Sequence, residues 1–187
     1  MTRDQALTLL KEYNKTESLL QHAYAVEGVM RYFARKAGED EDYWGNIGLL
    51  HDLDYELYPE QHCKMTEEIL KEEGMDQDFI NSIMSHGYGM CTDIEPSHYM
   101  EKVLYATDEL TGLIKAACLM RPSKSVMDVN VKSINKKWKD KAFARGVDRD
   151  VIQDGIDRLG MERAEVIQEV IYAMQEVADE IGLRGNL

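Results

Sequence analysis

The sequence predicts an all-α protein, a helical bundle, and three observations carry that prediction. Apolar residues recur with helical period in nearly every segment, and no alternating strand pattern appears. Only three prolines occur in 187 residues, so few helices are interrupted. The interruptions read as start and stop signals: Thr2, Asp40, Asp76 and Ser97 stand at starts, and Gly38, Gly74 and Gly160 at ends.

In order, residues 2–13 form a short amphipathic helix with Thr2 as cap and Gln5 three residues on. Thr16 opens a longer helix to about Ala37, stopped by Gly38. Its apolar stripe is Leu19, Ala23, Val26, Met30 and Phe33, and His22 falls on that stripe by spacing. A third helix runs from Asp40 to about Asp52, opened by the acids Glu39 to Asp42, which complement its dipole. Residues 55–59 break the helix, and Glu60 to Glu73 form the next one, with His62 in its first turn. Asp76 caps a short helix whose face is Phe79, Ile80, Ile83 and Met84; His86 lies just past that face. Ser97 caps a long helix from about His98 to Met120, ended by Pro122, with Asp108 in its middle. Two helices, about 148–159 and 162–182, close the chain. Methionines and tyrosines at helical spacing read as core filling.

Length fits one domain. Charged residues make up 30% of the chain, and the net charge is −13. That charge argues against nucleic-acid binding, because phosphate backbones repel it. The amino terminus is polar and amphipathic, unlike a signal peptide, and no apolar run approaches a membrane span. Three cysteines without a paired spacing are expected to be free thiols in a reducing cytoplasm. Oligomeric state is not legible.

The chemistry centres on Gly48-Leu49-Leu50-His51-Asp52-Leu53-Asp54. An apolar run delivers a histidine and an aspartate side by side, and neither belongs in a core without a partner. Both ligate divalent metals. Asp108 lies inside the apolar stripe with Leu104, where a carboxylate is disfavoured unless paired or metal-bound. Taken singly, His22 reads as a hydrogen-bonded core histidine, His62 as an exposed helix start, and His86 as a dipole complement. His98 falls outside the pattern and is expected at the surface.

Taken together, His22, His51-Asp52, His62, His86 and Asp108 resemble the HD superfamily of metal-dependent phosphohydrolases in its two-metal form. The resemblance covers roughly residues 16–120 and implies an HD-type helical bundle with metals between core helices. The expected organisation is a single domain over 1–187, with a metal-binding core at 16–120 and a C-terminal helical extension at 121–187. The resemblance implies that Asp52 bridges two metals, that His22, His51 and Asp108 hold one, and that His62 and His86 hold the other. Imidazole suits Fe, Mn, Co, Ni or Zn. The implied activity is hydrolysis of a phosphate ester of a nucleotide or another small phosphorylated metabolite. Relatives that use the same ligands as a di-iron oxygenase, and nucleotide-sensing HD modules, are the rival expectations. Asp54 and Glu56 are candidates to protonate a leaving group or hold metal-bound water.

One departure stands out. Two-metal relatives often carry a lysine shortly after the His-Asp pair; here Leu53, Asp54 and Tyr55 follow. Residues 121–145 carry eight basic and two acidic residues, a net +6 that leaves −19 elsewhere. Arg121 and Lys124, nearest the helix of Asp108, are the expected phosphate-binding residues.

Overall fold

Cap chemistry places most of the helix boundaries in the computed structural model, which describes residues 1–186. In α1 (Arg3–Tyr13) the Thr2 hydroxyl accepts from the Gln5 N–H, and the Gln5 side chain accepts from the Thr2 N–H at 2.8 Å. α2 (Glu17–Ala37) ends on Gly38, whose φ of 73° a side chain would disfavour. Its start is at Thr16 as expected, although the Thr16 side chain makes no capping bond. The Glu56 carboxylate ties down the residues just before the helix, accepting from the Lys15 and Thr16 N–H groups at 2.7 and 2.9 Å. Asp40 caps α3 (Glu41–Leu50), which stops before His51, and residues 51–57 continue as turns.

The helix expected from Glu60 is broken. Pro59–Gln61 make one 3₁₀ turn, Cys63 adopts φ 68°, and α4 spans Lys64–Glu72. His62 therefore sits in a linker. Asp76 caps α5 (Gln77–Met84), and a 3₁₀ turn, Ser85–Gly87, follows. α6 (Tyr99–Leu119) is capped by His98, not Ser97: the His98 imidazole accepts from the Met100 N–H, and Glu101 accepts from the His98 N–H. α7 (Val131–Lys139), α8 (Arg149–Leu159) and α9 (Arg163–Glu176) complete the chain. Among the described residues there is no strand, and no helix is long and apolar enough to cross a membrane.

α2 packs on α3, α6 and α9, while α6 packs on α7, α8 and α9. The C-terminal helices bury Ile134, Ile152, Ile156, Val170 and Ile171 in the same apolar core as Val26, Leu49 and Leu104. Two close crossings need glycine. A β-carbon at Gly48 would stand 2.9 Å from the Val26 carbonyl oxygen, so α3 can lie against α2 only without one. One at Gly155 would stand 2.5 Å from the Ala106 Cα, where α8 crosses α6. The free-thiol expectation holds for Cys118 alone. Cys63 and Cys91, 28 residues apart, are joined in a disulfide.

Candidate metal centre

Five segments bring the six expected residues to one place. α2 presents His22, the end of α3 presents His51 and Asp52, the linker before α4 presents His62, the turn after α5 presents His86, and α6 presents Asp108. The donors fall into two groups. The His22 and His51 Nε2 atoms lie 3.2 Å apart, and the Asp108 Oδ1 atom lies 3.0 and 3.3 Å from them. The His62 and His86 Nε2 atoms lie 3.3 Å apart. Asp52 stands between: its Oδ2 atom is 3.7 and 3.4 Å from His22 and His51, and its Oδ1 atom is 3.5 Å from both His62 and His86.

The remaining ring nitrogens are held from behind, which fixes the tautomers. The His51 Nδ1–H donates to the Gly48 carbonyl, and the His86 Nδ1–H to the Ile83 carbonyl, each at 2.7 Å. The His62 Nδ1–H donates to Asp54 at 2.8 Å. The Thr111 hydroxyl gives its own proton to the Asp108 carbonyl, so its oxygen accepts from the His22 Nδ1–H at 3.4 Å. Every Nε2 lone pair is thus turned inward.

The local field favours positive charge there. Burial opposes a charge on His51, yet the Asp52 and Asp108 carboxylates outweigh it and raise its pKa well above the ordinary value. Burial likewise opposes ionisation of Asp52 and Asp108, but His51 and the other imidazoles hold both well below the carboxylate range. Facing lone pairs beside two ionised carboxylates suit a divalent cation. The Cys63 sulfur, near His62 and His86, is taken by Cys91.

A model of the HD domain family matches residues 19–118, more than half of the chain. The chain belongs to the HD domain family. No solved structure matches it. HD domains are mostly metal-dependent hydrolases, and the inward-facing His and Asp groups of this one can hold metal.

The HD site opens on a cavity of about 510 Å³, a size that takes a small ligand. Its lining includes His22, Asp52, His62, His86 and Asp108. Glu109 joins them, its carboxyl pushed up to about 7 by burial and by the neighbouring Asp108 carboxylate. Four expected residues lie elsewhere. Asp54 is fully buried behind His62, with its other oxygen accepting from the Thr66 N–H at 2.8 Å, so it orients the His62 imidazole and does not line the cavity. Glu56 ties down the residues just before α2. Arg121 pairs with Asp128 through two bonds, at 2.9 and 3.1 Å. Neither Arg121 nor Lys124 lines the cavity. The physical reason is distance along the helix: at about 1.5 Å per residue, Arg121 sits roughly 20 Å beyond Asp108. Sequence reasoning missed Thr111 as the partner of His22. Its signal was the i, i+3 spacing from Asp108, which puts both on one helix face.

Proposed function

We propose that this HD domain hydrolyses the phosphate ester of a nucleotide or another small phosphorylated metabolite, using two divalent metal ions. His22, His51 and Asp108 would hold one ion, His62 and His86 the other, and Asp52 both. The observation that carries the reading is the Asp52 carboxylate, with one oxygen toward each imidazole pair. When bound, such ions supply charge for the phosphoryl oxygens and lower the pKa of water toward neutrality.

The chain's own contribution is placement. Asp54, Thr111 and the Gly48 and Ile83 carbonyls hold the imidazoles so that ligands need no reorganisation. In the reaction a water oxygen forms a bond to phosphorus, the ester P–O bond breaks, and the alcohol leaves with a proton. Residues 16–120 would form the metal-binding core of one domain spanning 1–187, with 121–187 as its helical extension; the shared core of α2, α6, α8 and α9 supports that organisation.

The test is elemental analysis of the purified protein joined to a phosphate-release screen over nucleotides and small phosphate esters. Two ions per chain with release from at least one ester is the expected result. Stoichiometric metal with no release from any ester would overturn it in favour of a binding module. Bound iron with oxygen consumption would overturn it in favour of an oxygenase.

A further inference from the structure

We infer that the substrate carries a single phosphoryl group on an uncharged, largely apolar remainder, and that Tyr55 and Met90 grip that remainder. The inference deepens the phosphohydrolase reading and rests on it. Charge is the first support. None of the described residues lining the cavity is a lysine or an arginine, while Asp52, Asp108 and Glu109 all are part of it. Of the cations near it, the Lys115 ammonium donates to the Ser18 carbonyl and to Gln21, and Arg145, next in sequence to the lining Gly146, is exposed and not itself part of the lining. The two positions after the His-Asp pair hold Leu53 and Asp54, both buried and neither cationic.

Two divalent ions set against Asp52 and Asp108 leave at most about two positive charges in the cavity, and fewer when Glu109 is ionised. That suffices for one phosphoryl dianion and no more. A second or third phosphate would meet carboxylates and no lysine or arginine on the lining itself, and an unpaired charge in a partly desolvated site is costly. A nucleoside triphosphate or a bisphosphate is therefore disfavoured by the walls themselves.

The rim is the second support. Tyr55 and Met90 both line the cavity and remain 46% and 52% exposed. Large apolar side chains left open around a concave polar site mark a ligand surface. The Tyr55 ring stands edge-on to His62, with centroids 5.3 Å apart and planes at 84°, which keeps it at the mouth beside the second donor pair. The Met90 thioether is soft and adaptable, suited to an aromatic or aliphatic group. A leaving group projecting from a phosphoryl group held near Asp52 would run between these two side chains.

The experiment uses the full chain loaded with Mn²⁺ and three probes: benzyl phosphate, glycerol 3-phosphate and ATP. Benzyl alcohol leaves no more readily than glycerol, so a preference for its ester reports recognition. Hydrolysis gives benzyl alcohol and inorganic phosphate. We expect kcat/KM for benzyl phosphate to exceed that of both other probes at least tenfold. Tyr55→Ala and Met90→Ala should each erode the advantage over glycerol 3-phosphate through KM, with kcat and metal content kept. Saturation-transfer NMR with benzylphosphonate, which cannot be hydrolysed, on the chain loaded with diamagnetic Zn²⁺ in place of Mn²⁺, gives a readout independent of turnover. Its ring protons should receive saturation from the wild-type protein and lose most of it in Tyr55→Ala. Equal or better turnover of ATP or glycerol 3-phosphate, with ratios unmoved in both variants, would overturn the ligand class and leave the hydrolase reading standing. No phosphate release from any probe, with benzylphosphonate still bound through Tyr55, would overturn the hydrolase reading and keep the ligand class. Absence of both release and saturation transfer would overturn both.

Discussion

At the residue scale, two carboxylates just past the His-Asp pair do structural work that their position does not announce. Asp54 is held between the His62 imidazole and the Thr66 N–H, so both of its oxygens are committed to donors. Asp54→Asn would leave one of those donors facing an NH₂ group. Such partners of metal ligands typically matter by about 10–100-fold in affinity. Metal titration of Asp54→Asn should therefore show that loss at the His62–His86 position and little change at the other. Equal affinity at both positions, unchanged from wild type, would contradict the orienting role. Glu56 accepts from the Lys15 and Thr16 N–H groups and from the Thr16 hydroxyl, and those bonds lower its carboxyl pKa. A depressed carboxyl stabilises the folded chain above its unfolded pKa, about 4.3. That contribution is lost as pH falls through the folded value. Glu56→Gln should lower Tm at pH 7, and the gap to wild type should close as the pH drops below about 4. Asp108 was legible in the sequence because a lone aspartate in an apolar stripe needs an explanation. The roles of Asp54 and Glu56 were not, because their partners lie 8 to 41 residues away and only the folded chain brings them together.

At the element scale, helix existence was legible and helix ends near the site were not. Periodicity gave α2 and α6 almost to the residue, since long stripes and a glycine stop are local signals. The stretch from Glu60 to Cys63 failed, because it carries helix-compatible residues while the fold needs His62 free of helical geometry. The placement of Arg121 failed for the opposite reason: α6 is 21 residues long, so adjacency to its end is not adjacency to its middle. The two glycine crossings have separable consequences. Gly155→Ala and Gly48→Ala should each cost about 1–3 kcal/mol of stability from overpacking, read by denaturant unfolding. Only Gly48→Ala should also weaken metal binding, because the Gly48 carbonyl holds the His51 Nδ1–H. Equal metal affinity in both variants would separate the α2–α3 contact from the site.

At the scale of the whole molecule, the candidate donors come from five segments spread over residues 22–108, so two bound ions would together link α2, α3, the turn after α5, α6 and the linker before α4. An unfolded chain does not hold these donors together, and anything bound only by the folded state stabilises it by mass action. At free metal 100-fold above Kd, one site contributes about 2.7 kcal/mol. For a chain of this length each kcal/mol moves Tm by roughly 2–4 °C, so one occupied site should raise it by about 5–10 °C. The carboxylates sharpen the effect. In the metal-free protein Asp52, Asp108 and Glu109 share one cavity, relieved only by the imidazoles. Chelator treatment should therefore lower Tm by at least that amount, and Mn²⁺ should restore it with a concentration dependence that follows Kd. Asp52→Ala removes the carboxylate common to both donor groups, so its Tm should respond little to chelator or to Mn²⁺. His86→Ala touches only the second group, and about half of the response should survive. A full wild-type response in Asp52→Ala, with its circular dichroism spectrum intact, would show that the stabilising ion binds elsewhere in the chain.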